Sequence, residues 1–125
     1  MEKELLAIID AGTTGLRTII FNSDGNEIGR DYQEYQSFFP KPAWVEQNAN
    51  DWWQAVCNTT KNVIQKTKIN PSRIAGISVT NQRETIVPVD ESGNPLRRAL
   101  VWQDRRTIPE CKQIKEKVGN NKIYQ

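Results

Sequence analysis

The sequence predicts a mixed α/β fold within one domain, because its 125 residues match the usual size of a single domain. Short apolar runs that indicate buried strands surround segments with helical periodicity. The first of these runs are joined by turns that are too short to hold a helix. We therefore expect a mixed sheet that opens with an antiparallel meander of three strands.

The opening meander is predicted from a regular succession of apolar runs and turns. Residues 5–9 form a continuous apolar run, which indicates a buried strand that brings Asp10 to its end. Small polar residues at 11–15 predict a tight turn, and the β-branched segment 16–21 predicts the second strand. An Asp-Gly pair follows, which is a strong hairpin signal and places a third strand at 27–35.

The first helix is predicted to begin at Asn48 or Asn50, since either side chain can cap it, and to end near Lys66. Its apolar positions repeat at helical spacing and are expected to form one buried face: Trp53, Val56, Thr60, Val63 and Ile64. The two cysteines, Cys57 and Cys111, lie on predicted helix faces and are expected to be small core residues.

The remaining predicted elements are shorter. Residues 74–79 predict a buried strand, and residues 85–89 predict an edge strand because a proline interrupts them. A short apolar run follows at 99–102. The last helix is predicted from Thr107, which begins a capping-box pattern, to a natural stop at Gly119. Its apolar residues are expected on one face: Ile108, Cys111, Ile114 and Val118.

Composition excludes several classes of function. Seventeen basic and fifteen acidic residues leave a net charge of +2, which gives no electrostatic case for nucleic acid or a membrane as the main partner. Histidine is absent, which excludes Ser-His-Asp and Cys-His catalysis and histidine-based zinc sites. Two cysteines are too few for a disulfide framework, and no signal peptide or membrane span is visible. We therefore expect a cytoplasmic protein.

The sharpest local signal is the segment 10–17, Asp-Ala-Gly-Thr-Thr-Gly-Leu-Arg. A turn rich in glycine and threonine can cradle phosphate oxygens, because its backbone N–H groups supply partial positive charge. Asp10 is placed to hold Mg²⁺, directly or through water, and Arg17 can add positive charge. A plain tight hairpin is the commoner use of such a turn, and the pattern alone leaves both interpretations open.

A second polar segment follows the predicted strand 74–79. Residues 80–85, Thr-Asn-Gln-Arg-Glu-Thr, suit a polyol, since Arg83 can donate to hydroxyls and Glu84 can accept from them. Ligands of α/β sheets tend to lie outside such strand ends. A solvated loop with surface ion pairs is an equally good interpretation.

A third segment surrounds Trp102. Its ring can cover the carbon backbone of a substrate while polar neighbours bind hydroxyls, although a tryptophan in such a run is more often part of the core. Arg105 and Arg106 follow closely and indicate a solvated or interdomain face.

Together these segments resemble the FGGY family of carbohydrate kinases over nearly all of the chain. The resemblance rests on Asp-Ala-Gly-Thr-Thr-Gly-Leu-Arg at 10–17, Pro-Ala-Trp-Val-Glu-Gln at 42–47, Thr-Asn-Gln-Arg-Glu-Thr at 80–85 and Val-Trp-Gln-Asp-Arg-Arg-Thr at 101–107. The last two are the more specific and are similar to those of the family's glycerol kinases. The resemblance implies a ribonuclease-H-like, actin-like ATPase domain that is duplicated, with the active site in the cleft between the two copies.

The resemblance also implies a reaction, the transfer of a phosphoryl group from ATP, with Mg²⁺, to a polyol hydroxyl. Catalysis of that kind depends on positioning and charge neutralisation. The implied roles are as follows: Asp10 for Mg²⁺; Thr13, Thr14, Gly15 and Arg17 for the ATP phosphates; Arg83 and Glu84 for the substrate hydroxyls; Trp102 for the carbon skeleton. The turn departs from the family's usual Gln at Ala11 and from its usual Ser-Ser at Gly15-Leu16, which removes side-chain donors and keeps the backbone N–H groups.

Chains of this family are several times longer than this one. The family's catalytic aspartate and its nucleotide-cradling second domain would lie beyond Gln125, so residues 1–125 are expected to be the N-terminal portion of the first kinase domain and to be inactive alone. Two alternatives stay open: a portion of another sugar kinase of the family, such as a pentulose kinase, and a non-enzymatic binding module. Apolar surface left uncovered would favour self-association into a homo-oligomer.

Overall fold

The computed structural model describes residues 4–119 and residue 122. The elements in chain order are β1 (Leu5–Ala11), β2 (Gly15–Phe21), β3 (Glu27–Glu34), β4 (Ser37–Phe38), β5 (Glu46–Gln47), α1 (Ala49–Thr67), β6 (Ile74–Asn81), β7 (Ala99–Leu100) and α2 (Ile108–Val118). They form a large sheet of order β3-β2-β1-β6 and a small sheet of order β4-β5-β7. Within the described residues, no helix is long and apolar enough to cross a bilayer.

The large sheet confirms the predicted mixed α/β class with an antiparallel opening. β2 pairs antiparallel with both β1 and β3, whereas β6 pairs parallel with β1. In that parallel pair, Asp10 lies beside Thr80 and Ala11 beside Asn81. The turn after β1 and the loop after β6 therefore leave the sheet at the same edge, where ligands of α/β sheets commonly bind.

α1 packs across β2 and β3. Asn48 caps it, as predicted, by accepting a hydrogen bond from the backbone N–H of Asn50. The residues that α1 buries are Ala55, Thr59 and Val63. They repeat every four positions and form a different stripe from the predicted one. The predicted face is therefore partly wrong, and its first residue, Trp53, is 69% exposed.

A pair of buried threonines explains which side of α1 faces the sheet. The hydroxyls of Thr18 in β2 and Thr59 in α1 are 2.8 Å apart, and Thr59 also bonds to the carbonyl of Ala55. Both hydroxyls are satisfied within the interface, so their burial leaves no unpaired group. Apolar side chains surround them in two clusters: Leu5, Ala7, Ile20 and Val63; Leu16, Tyr35 and Ala55. Hydrophobicity alone therefore does not identify the buried face.

The segment after β6 departs from the sequence predictions in two places. Residues 85–89 do not form the expected edge strand and make isolated bridges to Leu100 and Pro95. A proline in that run lacks the N–H that a continuous ladder needs. α2 begins after Thr107 and ends at Gly119 as predicted, but the Thr107 side chain makes no capping hydrogen bond.

The predicted burial of α2 and of both cysteines is wrong. α2 buries none of its side chains among the described residues, and Ile108, Ile114 and Val118 are all exposed. Cys57 and Cys111 are free and exposed. Cys57 lies off the stripe that α1 buries, and Cys111 belongs to a helix whose apolar side chains remain open to solvent.

Arg106 also differs from its predicted place on a solvated or interdomain face, since it is paired within this chain. Its side chain is nearly buried and donates to the carboxylates of Asp104 and Glu46. Its guanidinium carbon lies 3.6 Å from the centre of the Trp44 ring. The neighbouring Arg105 is exposed, as predicted. The small sheet is therefore held together by paired charges as well as by its short strands.

Candidate functional site

A small pocket opens at the edge of the large sheet where β1 and β6 end. Its volume is about 230 Å³, and it is lined by Thr13, Gln82, Arg83, Glu84 and Trp102. Pockets for drug-sized ligands occupy about 300–1,000 Å³, so this one suits a smaller molecule. The pocket brings together residues from all three polar segments that the sequence singled out.

Trp102 forms one side of the pocket and is held at two points. Its indole Nε1 donates to Oγ1 of Thr13 at 2.9 Å, and its backbone N–H donates to Oγ1 of Thr85 at 3.2 Å. The residue is 44% exposed, so much of the ring remains available to a ligand. The alternative that Trp102 is an ordinary core residue is therefore wrong.

Arg83 and Glu84 lie exposed on the loop after β6, and both line the pocket. Glu84 has a φ of 63°, a left-handed conformation that costs of order 1–3 kcal/mol in residues other than glycine. Such conformations concentrate at ligand-binding sites. The loop can present a guanidinium donor and a carboxylate acceptor to the same small molecule.

The turn after β1 is held tightly by its neighbours. The N–H of Gly12 donates to the carbonyl of Gly15 at 3.0 Å, and the hydroxyl of Tyr35 donates to the carbonyls of both glycines. Burial raises the pKa of the Tyr35 hydroxyl to about 12, so it remains a donor at neutral pH. In the part of the chain that the structure describes, the backbone N–H groups of Thr13 and Thr14 have no protein acceptor, and such groups can bind phosphate oxygens.

Asp10 and Arg17 lie opposite each other in the β1–β2 pair, and Nε of Arg17 donates to Oδ2 of Asp10 at 2.9 Å. Asp10 and Arg17 lie on the strands that flank the turn, Thr14 lies in the turn, and Gly15 begins β2. None of these four residues lines the pocket. Across residues 4–119 and 122, no three acidic or cysteine side chains gather closely enough to hold a metal ion. The single carboxylate of Asp10 fits Mg²⁺, which usually keeps several waters and shares phosphate oxygens.

Comparison with known proteins decides the family. Residues 5–125 match the model of the N-terminal domain of the FGGY family of carbohydrate kinases. The chain belongs to the FGGY family. It is similar to curated glycerol kinases: that of Listeria monocytogenes serotype 4a (strain HCC23) is 46% identical over 117 residues, and that of Thermococcus gammatolerans is 43% identical over 120 residues. The matches cover 93% and 96% of this chain but 24% of each relative. The chain thus spans about a quarter of the length of these relatives.

Solved structures show the same FGGY fold at lower sequence identity. The glycerol kinase of Plasmodium falciparum with ADP aligns with a TM-score of 0.85 and 23% identity, over 98% of this chain and 25% of that one. The xylulose kinase of Rhodospirillum rubrum aligns with a TM-score of 0.87 and 21% identity, over 94% of this chain and 24% of that one. The FGGY fold that the sequence resemblance implied is therefore confirmed.

Sequence reasoning did not identify Gln47 and Gln82 as site residues. Gln82 lines the pocket, and Gln47, which is completely buried, donates to the carbonyl of Thr13 at 2.7 Å. A glutamine is usually exposed, so its residue type gives no hint of this role. The position of Gln47 in the FGGY-like segment 42–47 is the signal that could have drawn attention to it.

Proposed function

We propose that this chain is the N-terminal portion of the first domain of an ATP-dependent kinase that converts glycerol to glycerol 3-phosphate. The position of Thr13 carries the proposal, because this residue belongs to the glycine- and threonine-rich turn and also lines the pocket. Transfer from ATP to a hydroxyl requires phosphates and acceptor to be held side by side. The similarity to curated glycerol kinases favours glycerol as the acceptor.

On the substrate side, Arg83 and Glu84 bind the polyol hydroxyls as donor and acceptor, and Trp102 packs against the carbon skeleton. The hydrogen bond from Trp102 to Thr13 holds this side of the pocket against the turn. A bound hydroxyl is thereby kept beside the phosphates. Such positioning supplies a large part of the rate enhancement in phosphoryl transfer.

On the phosphate side, the backbone N–H groups of Thr13 and Thr14 bind phosphate oxygens, and Arg17 adds positive charge. A Cβ at Gly15 would lie 2.7 Å from a backbone carbonyl oxygen of β3, so glycine lets the strands close tightly beside the turn. Asp10 would hold Mg²⁺, directly or through water, and the bound ion would neutralise part of the phosphate charge.

The rest of the catalytic apparatus belongs, in this proposal, to a longer protein, since the chain spans about a quarter of the length of its curated relatives. A base for the substrate hydroxyl and a second, nucleotide-cradling domain complete that protein. Residues 1–125 alone are then inactive as a kinase. The proposed site of action is the cytoplasm, where free cysteines such as these stay reduced.

Glycerol binding tests the proposal in this chain. In a ¹H–¹⁵N NMR titration, glycerol should shift the indole signal of Trp102 and the amide signals of Arg83 and Glu84 more than xylulose does. Arg83→Ala should weaken glycerol binding about tenfold or more, because a charge-assisted hydrogen bond contributes about 1.5–3 kcal/mol. Arg105→Ala removes an exposed arginine outside the pocket and should bind glycerol as the parent chain does.

Two other results would redirect the assignment. A response to xylulose in place of glycerol would favour another sugar kinase of the family, and a response to neither would favour a non-enzymatic module. A coupled assay of ADP release with glycerol and MgATP tests the expected inactivity of the chain alone. Turnover near the usual kinase rate of about 1–100 per second would contradict it.

A further inference from the structure

We propose that Gln47 is a positioning residue that fixes the phosphate-binding turn against the polyol-binding loop, through a closed ring of hydrogen bonds beside the pocket. The inference rests on the function proposed above for the turn and the loop. Gln47 does not line the pocket. It acts through Thr13 of the turn and Gln82 of the loop, which both do.

Gln47 uses every hydrogen-bonding position of its amide. It is completely buried, and a glutamine amide offers two N–H donors and one oxygen with two lone pairs. Nε2 donates to the carbonyl of Thr13 at 2.7 Å and to Oγ of Ser37 at 2.9 Å. Oε1 accepts from Nε1 of Trp52 at 3.1 Å and from Nε2 of Gln82 at 3.4 Å. Four partners therefore fix the orientation of this one side chain.

Three further hydrogen bonds close the ring. Oε1 of Gln82 accepts from Oγ1 of Thr85 at 2.9 Å. The same Thr85 oxygen accepts from the backbone N–H of Trp102 at 3.2 Å, and the indole of Trp102 donates back to Oγ1 of Thr13 at 2.9 Å. The members of the ring, in order, are Thr13, Gln47, Gln82, Thr85 and Trp102. Arg83 and Glu84, the two residues proposed to bind the polyol hydroxyls, lie between Gln82 and Thr85 in the chain.

The ring makes the position of the turn depend on the position of the loop. In a buried network, a missing partner leaves another polar group unsatisfied, and the effect passes to its neighbours. Loss of the N–H donors of Gln47 would release the carbonyl of Thr13. Oγ1 of Thr13 would then no longer be held in position. The indole N–H of Trp102 would lose its fixed acceptor as a result.

The first test of the ring needs no ligand. Gln47→Glu keeps the size and the acceptor oxygen of the side chain but replaces the NH₂ group, with both of its donors, by a second oxygen. Hydrogen exchange of the Trp102 indole N–H, followed by NMR, should become about tenfold faster, as expected for the loss of one hydrogen bond. Gln54→Glu makes the same chemical change at an exposed glutamine of α1 and should leave that exchange rate unchanged.

The second test uses glycerol as the probe. Gln47→Glu should weaken glycerol binding about tenfold, and Thr85→Val, which breaks the ring at another point, should do the same. Because both variants break one ring, the double variant should bind about as well as either single variant, whereas independent effects would multiply. If Gln47→Glu does not fold, Thr85→Val carries both measurements.

These measurements separate the positioning role from the proposed function. Faster exchange of the Trp102 indole in a chain that ignores glycerol would support the ring and overturn the assignment to glycerol. Equal glycerol binding in the parent chain and in both single variants, with indole exchange unchanged, would overturn the positioning role. Multiplied losses in the double variant would overturn it as well, because they would show two separate effects.

Discussion

The large sheet buries apolar side chains beneath α1, whereas the small sheet of β4, β5 and β7 is organised around paired charges. Leu16, Ile20 and Val63 are completely buried in the first region. Beside the small sheet, the carboxylate side chains of Glu46 and Asp104 are 10% and 6% exposed. Hydrophobic burial is non-directional, but a buried ion cluster needs every partner in place. The two regions should therefore fail under different conditions.

Arg106 is the centre of the charged region. It donates to Glu46 at 2.8 Å and to Asp104 at 2.7 Å, and its guanidinium stacks on the Trp44 ring. The strand that carries Glu46 also carries Gln47. The charged cluster thus fixes the strand that carries Gln47, beside the candidate site. The apolar core stabilises the large sheet, and the pocket lies where two strands of that sheet end.

The largest expected effect falls on the apolar region. Ile20→Ala removes a completely buried side chain and should lower the free energy of unfolding by about 2–5 kcal/mol, measured by urea denaturation. Ile77→Ala makes the same truncation on β6, where the side chain is 67% exposed, and should change it by less than about 0.5 kcal/mol. Equal losses would contradict this contrast and would indicate that β6 is covered in solution, as in a homo-oligomer.

The second effect falls on the charged region. Arg106→Met leaves two nearly buried carboxylates without their shared donor, and charge-assisted hydrogen bonds contribute about 1.5–3 kcal/mol each. We expect a loss of that size that is confined to the small sheet. Amide hydrogen exchange should become faster in residues 44–47 and 99–106 and stay unchanged in β2.

Arg30→Met is the matched control for this second prediction. Arg30 pairs with Glu27 through two hydrogen bonds, but both side chains are open to solvent. Exposed ion pairs contribute about 0–1 kcal/mol. If Arg106→Met lowered stability no more than Arg30→Met does, the charged cluster would not stabilise the small sheet.

The large sheet can be predicted from the sequence because its signals are local. Continuous apolar runs mark the buried strands, and an Asp-Gly pair marks the hairpin. The start of α1 is equally visible, since Asn48 has the residue type of a cap. The buried face of α1 cannot be predicted in the same way, because the contact between the hydroxyls of Thr18 and Thr59 joins positions far apart in the chain. Such a pair leaves no periodic pattern.

The same distinction divides the candidate site. Arg83, Glu84 and Trp102 can be chosen from polar segments near the ends of predicted strands, and the structure brings them into one pocket. Gln47, and Arg106 in the charged cluster beside the site, cannot be chosen in this way. Each of them depends on partners that only folding brings near. Gln47 on the small sheet donates a hydrogen bond to the carbonyl of Thr13, in the turn of the large sheet. Arg106 donates to the carboxylate of Glu46 on β5.

The smallest effect is expected from acid, and it should fall on the charged region more than on β2. Hydrogen bonds from Arg106, and then from backbone N–H groups, lower the pKa of Asp104 to about 2, against about 3.9 in an unfolded chain. The stabilisation from this carboxylate is therefore complete above about pH 5 and is lost as the pH falls through about 2. After correction for intrinsic exchange rates, amide exchange in residues 44–47 should accelerate relative to that in β2 over this acid range. In Asp104→Asn, which has no carboxyl to titrate at this position, the difference between the two regions should disappear. Parallel acceleration in β2 would show that acid acts on the whole fold and that the two regions are not separable.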